Sequence, residues 1–196
     1  MADQSEFVGH GLSSEIFINE TMSEEVERAY IQSTIQGLAE TVGQNVRGWK
    51  GSECGESSRT VRLLAELGIQ YVCDWPTDEQ PHLMHVSGGS IVNLPFMFDV
   101  DDLFVHLHGV VPIPRFARVV MEQFDRLCED GANNGRLMIM NVHPWILGQP
   151  FRIRYFEHFV AHMRASKEAW FATAGEVCDA YRKSTMSVSD AVPKFV

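Results

Sequence analysis

The sequence is short of the features that settle a function quickly. Cysteine is scarce: Cys54, Cys73, Cys128 and Cys178 lie far apart, with no C-x-x-C spacing. In a chain of 196 residues that pattern fits reduced, buried thiols better than a disulfide framework or a zinc knuckle. Positive charge is also short, with 16 Lys and Arg against 26 Asp and Glu and a formal net charge of -10. No Lys/Arg cluster offers phosphates a footprint, which argues against nucleic-acid and anionic-membrane partners. No apolar run is long enough to span a bilayer, and the first residues lack a charged-then-apolar signal pattern. Internal repeats and low-complexity linkers are missing too. The expectation is a soluble, cytoplasmic chain.

What is present is a 45% hydrophobic content, enough for one substantial core. Thr21-Met22-Ser23-Glu24 has capping-box spacing ahead of a helix with Val26, Tyr30, Ile31, Ile35 and Leu38 on one side. Gly43 is its expected stop. A second helix is predicted from Ser58 to Leu67, ended by Gly68, and strands around Val46 and from Ile69 to Trp75, the latter closed by Pro76. This helix-then-strand rhythm is that of a parallel sheet or barrel. Leu83 to Phe96 breaks it: two short runs flank Ser87-Gly88-Gly89, a hairpin whose second arm is expected to rejoin the main sheet. Further helices are predicted near Asp99 to Val105, over Pro114 to Cys128, from Arg152 to Ala165, and from Thr173 to Arg182. Phe7-Val8, Met138 to Val142 and Trp170 to Ala172 read as strands, and Ser184 to Val196 as an unstructured tail.

Met138-Ile139-Met140-Asn141-Val142-His143-Pro144 is the stretch around which the rest is arranged. It reads as a buried strand that must stop at Pro144, leaving His143 at its carboxyl end in a Gly/Pro-rich loop. α/β barrels and sheets put their chemistry there. A core histidine bonded to a backbone carbonyl fits the pattern as well. His10, Arg47 with Trp49, and Asp74 with Trp75 stand at other strand ends, and parallel strands would bring them to one mouth. A histidine and a carboxylate there suit acid–base work, Arg47 can bind an anionic group, and Trp49 and Trp75 can wall a pocket. Each has a plainer alternative: a surface arginine, a core tryptophan, a strand-ending Asp-Trp-Pro turn. For His85, His106, His108, His158 and His162 the plainer reading is favoured.

Phe7 to Gly11, Arg47-Gly48-Trp49, Leu63 to Trp75, Asp78-Glu79-Gln80-Pro81 and His143 to Arg152 together resemble the polysaccharide deacetylase superfamily. Within it they resemble the allantoinase-like and cyclic-imide-hydrolase-like branch. The resemblance runs from about Glu6 to Arg182, and His143-Pro144-Trp145-Ile146-Leu147-Gly148-Gln149-Pro150 is its most specific part. It implies an α/β fold, a distorted (β/α) barrel left incomplete where the first strand is missing, as a catalytic domain over residues 1–183 with 184–196 as tail. It also implies hydrolysis of a non-peptide C–N bond in an N-acetyl sugar, ureide or imide. Carried over by position, His10 is similar to the first histidine of the family's H-x-x-x-H metal motif. Arg47 falls in the arginine motif, Asp74-Trp75 at the Asp/Trp strand end, and His143 at the general acid.

Two departures bear on chemistry. Ser14 stands where the second metal histidine would be, and the family's first strand, with its acidic pair, would lie before Met1. The expected cofactor is therefore none, or a divalent metal such as zinc weakly held through His10. The expected catalytic residues are His143 and Asp74, with Arg47, Trp49 and Trp75 binding a small-molecule or oligosaccharide amide. The alternative is a truncated, inactive homologue acting as a binding or oligomerising module. A third option is a metal-dependent deacetylase using His10 with His106 or His108. An unpaired Phe7-Val8 edge further implies a homo-oligomer.

Overall fold

The computed structural model describes residues 5–189, which divide into two units. The first is built from residues up to 75, 81–94 and 172 onward; the second from 76–80 and 95–171.

In the first unit helix α1 spans Glu24–Val42. Its cap is Ser23, whose hydroxyl accepts the Val26 N–H, so the helix starts two residues later than a Thr21 cap would place it. Glu24, Glu25 and Glu27 fill the first turn, where carboxylates meet the positive end of the helix dipole. Gly43 ends the helix as expected, in the left-handed conformation at φ 68°, with its N–H on Ala39 O. Tyr30 and Ile31 face the core, but Val26, expected beside them, is exposed. Glu27 is fully buried and satisfied: Ser57 Oγ and Thr60 Oγ1 donate to it at 2.7 and 2.6 Å, and Arg59 at 3.1 Å. These bonds tie α1 to the start of helix α2, Thr60–Glu66.

Strands β1 (Gly48–Trp49), β2 (Tyr71–Val72), β3 (His82–Val86) and β4 (Gly89–Asn93) form a sheet in the order β1-β2-β4-β3. β1, β2 and β4 are parallel. β3 and β4 are the expected hairpin, and β4 is the arm that rejoins the sheet. Phe7-Val8 forms no strand; Gly9 alone makes a parallel bridge to Trp49. Among the described residues the sheet is open, as an incomplete barrel would be. Ile31, Leu63, Leu64, Val72 and Ile91 make up its core with Trp49. Helix α6, Ala174–Ser189, runs past the expected end at Arg182, so the anticipated tail begins helical; its remainder lies outside the described residues.

The second unit packs helix α3 (Ile113–Gly131) against helix α5 (Ile153–Ala165) around Val100, Phe116, Val120, Leu147 and Phe159. The Phe116 and Phe159 rings meet edge to face at 6.3 Å. Instead of one helix near Asp99, there is a short 3₁₀ turn, Phe98–Val100, and a π-turn, Phe104–His108. Met138 to Val142 is not a strand, and neither is Trp170 to Ala172. No described strand lies beside Met138 to Val142. Its alternation arises because Met138 and Met140 pack on the helical core. Among the described residues no helix is long and apolar enough to cross a membrane.

The sheet's tightest approach gives a test. A Cβ at Gly48 would lie 2.1–2.3 Å from the buried Tyr71 ring. Gly48→Ala is expected to lower unfolding stability by about 1–3 kcal/mol, measured by urea denaturation; an unchanged midpoint would mean the two strands separate easily.

Candidate functional site

Because β1, β2 and β4 are parallel, their carboxyl ends share one edge of the sheet. Gly9 N–H donates to Gly48 O and Lys50 N–H to Gly9 O, which brings His10 to that edge. His10 Nδ1 is 2.5 Å from Lys50 O, and the ring is exposed. Asp74 follows β2 there, its side chain 1% exposed. The Gly51 N–H donates to both of its oxygens, at 2.9 and 3.0 Å, and Lys50 Nζ lies 3.4 Å away. Burial pushes the Asp74 carboxyl above the ordinary range, while Lys50 and the Gly51 amide pull it back. Burial likewise works against the Lys50 charge, but Asp74 and Cys54 outweigh it and raise that group. Trp75 is 41% exposed and donates its indole N–H to Glu56 Oε1 at 3.2 Å.

The structure therefore joins His10, Asp74 and Trp75 and adds Lys50, Cys54 and Glu56. It does not bring Arg47 or Trp49 to that edge. Arg47 precedes β1 and Gln70 precedes β2, so they meet at the opposite, amino end. Arg47 Nε and Nη2 donate to Gln70 Oε1 at 2.9 and 2.7 Å, and Nη2 pairs with Asp179 at 2.5 Å. Its engagement anchors α6. Trp49 is 1% exposed and sits within the core, the plainer of its two sequence readings.

His143 belongs to the second unit. It caps a single helical turn, α4 (Pro144–Leu147), with extended backbone at φ -103° and ψ 117°; Pro144 at the first position sets that turn. Its carbonyl accepts from Ile146 and Leu147. Asp102, 0% exposed, takes the other two bonds: Oδ2 accepts the His143 backbone N–H at 2.9 Å, and Oδ1 lies 2.6 Å from Nδ1. Asp101 accepts the Phe104 N–H and the Asn141 amide, each at 2.8 Å. The imidazole is half-buried, edge-on to Trp145 at 5.7 Å, and Nε2 makes no hydrogen bond to a described residue. Neither sequence reading of His143 included Asp102: its partner is a side chain 41 residues away, not a backbone carbonyl. An Asp-Asp pair ahead of an aromatic–His run was the available signal.

No family model matches the chain. A crystal structure of a "probable polysaccharide deacetylase" from Pseudomonas aeruginosa PAO1 is 26% identical with a TM-score of 0.82, covering 93% of this chain and 61% of that one. A Schizosaccharomyces pombe protein described as a "putative polysaccharide deacetylase" is 22% identical over 189 residues, 87% of this chain and 59% of its own length. The chain is related to the polysaccharide deacetylase superfamily. The Puue allantoinase structure, 24% identical with a TM-score of 0.82 over 93% of this chain and 60% of that one, shares the fold. The chain spans about three fifths of the length of these relatives.

The superfamily's metal can be tested against these residues. His10 has no second histidine at Ser14, and its Nδ1 is taken by Lys50 O. Among the described residues, Asp101, Asp102 and His143 form a group whose ligand atoms lie within 4.8 Å of one another. Every carboxylate oxygen there already accepts an N–H or faces Nδ1. A divalent ion would have to displace the proton shared by Asp102 and His143, so the group does not fit as it stands. Calorimetric titration with zinc is expected to show no micromolar or tighter site; a stoichiometric site that disappears in His143→Ala would reverse this reading.

Proposed function

We propose that the chain carries acid–base machinery for hydrolysing a non-peptide C–N bond, in an N-acetyl sugar, a ureide or a cyclic imide. The observation that carries this reading is the pairing of His143 with the buried Asp102. Names of relatives that include polysaccharide deacetylase and allantoinase support the same class. Asp102 favours the proton on Nδ1 and so directs Nε2 outward as the exchanging atom. Water adds to the carbonyl carbon while neutral Nε2 takes the proton it gives up, which forms the imidazolium. As the C–N bond breaks, imidazolium Nε2–H passes its proton to the departing nitrogen, which is too basic to leave as an anion. Asp102, bonded to Nδ1–H, orients and stabilises the imidazolium. Asp74, the carboxylate the sequence reading expects in catalysis, is held by the Gly51 amide and Lys50 and keeps that role here as a further group needed for turnover.

The test is a hydrolysis screen with N-acetylglucosamine oligomers, allantoin and simple cyclic imides. On whichever is turned over, His143→Ala and Asp102→Asn are each expected to lower kcat by roughly 10²–10⁴ with the circular dichroism spectrum kept. Wild-type protein inactive on every amide and imide would favour the binding-module alternative. Equal rates in His143→Ala and wild type would remove His143 from the chemistry.

A further inference from the structure

The loop between β1 and α2 carries a carboxyl that the proposed chemistry does not use. After Lys50 the chain makes a 3₁₀ turn, Ser52–Cys54, in which Glu53 and Cys54 both hold left-handed φ values of 53° and 54°. Gly55 N–H closes the turn on Ser52 O at 2.9 Å. The result sets Glu56 against Trp75, whose indole N–H donates to Oε1. Oε2 is buried with no hydrogen-bond partner. An ionised carboxylate with a bare, buried oxygen is costly, whereas a neutral carboxyl tolerates the position. The charged groups facing it point the same way. Asp74 at the end of β2 and Glu27 on α1 both oppose ionisation, and only Lys50 at the end of β1 favours it. Burial, with Asp74 next, pushes the Glu56 carboxyl up to about 8.

We infer that Glu56 is a positioning residue: its carboxyl holds the indole of Trp75 through Nε1, so that the half-exposed ring offers a fixed flat wall to a planar amide, ureide or imide group. The ligand class rests on the proposed function; the hold on Trp75 does not. A tryptophan fixed through its N–H keeps its apolar faces free for stacking and loses little further entropy when a ligand arrives. Ionisation of Glu56 above its midpoint strengthens the bond to the indole N–H but places a charge beside Asp74, which disfavours an anionic ligand and shifts the indole's electronic environment.

The chain has four tryptophans, Trp49, Trp75, Trp145 and Trp170, so its indole N–H signals are few. The experiment is ¹⁵N-correlated NMR of the full chain across roughly pH 6.5 to 9.5, with Trp75 assigned from Trp75→Phe. The Trp75 indole signal is expected to move with a midpoint near 8. In Glu56→Gln, which keeps an acceptor but cannot ionise, it should stay at its low-pH position throughout. In Glu56→Ala it should shift and broaden at every pH. A Trp75 signal that does not titrate in the wild type, or that titrates equally in Glu56→Gln, overturns the inference. Should Glu56→Ala not fold, the wild-type and Glu56→Gln comparison alone decides it. Where a substrate is turned over, Glu56→Ala should raise KM by roughly threefold to tenfold. A loss confined to kcat would contradict a positioning role. Absence of turnover bears on the proposed function alone, because the NMR arms need no substrate.

Discussion

One buried carboxylate fixes the geometry on which the functional reading stands. Asp102 has no exposed surface, and both its oxygens go to His143, one to the backbone and one to the ring. Its neighbour Asp101 holds Asn141 and the Phe104 amide, and the Asp102 N–H donates to Asn141 O at 3.3 Å. Two consecutive aspartates thus stitch the chain at 101–104 to the chain at 141–143. Met138 to Val142 has no strand beside it among the described residues, so these bonds do the orienting that a sheet ladder would otherwise do. Hydrogen bonds to a charged group contribute about 1.5–3 kcal/mol each, enough to hold one tautomer and one ring orientation over the alternatives.

The first unit treats its carboxylates differently, and burial alone does not sort them. Glu27 is enclosed by two hydroxyls and Arg59, a structural use that locks α1 to α2. Asp74 receives one amide and a lysine at 3.4 Å, which leaves it polar, partnered and still raised by burial. Glu56 has a single indole donor and a bare oxygen. Partner count therefore separates a structural carboxylate from the two at the sheet's carboxyl edge. Arg47 follows the same logic at the amino edge: Gln70 and Asp179 occupy its fork. A guanidinium used that way anchors an element and has fewer donors left for a ligand.

Local signals in the sequence carried the fold well. Gly43 stops α1, Ser87-Gly88-Gly89 makes the hairpin, and α3 and α5 lie close to where their apolar spacing puts them. Of the residues that the strand-end reading put at one mouth, His10, Asp74 and Trp75 share one edge of the sheet. Reading failed where a local pattern has two structural causes. Alternating apolar residues at Met138 and Met140 mark one buried face, and a helical core provides that face as well as a sheet does. Trp49, two residues after Arg47, reads as a pocket wall or as core, and only its neighbours Ile31, Leu63 and Val72 show which. Arg47 immediately precedes strand β1 and Trp49 is its last residue, and sequence alone does not say which end of a two-residue strand a side chain serves. Asp102 and Glu56 were missed because each acts on a residue far along the chain, at separations of 41 and 19 residues, which leaves no periodic trace.

The account turns on Asp102 holding the His143 proton on Nδ1 so that Nε2 is the atom that exchanges. Long-range ¹⁵N–¹H correlation of the histidine rings, with His143 assigned by its loss in His143→Gln, reads that tautomer directly. The neutral ring is predicted to be the Nδ1–H form, with Nε2 carrying the lone pair, and to lose that preference in Asp102→Ala. A neutral His143 in the Nε2–H form, or one averaging freely between the two in the wild type, would contradict it.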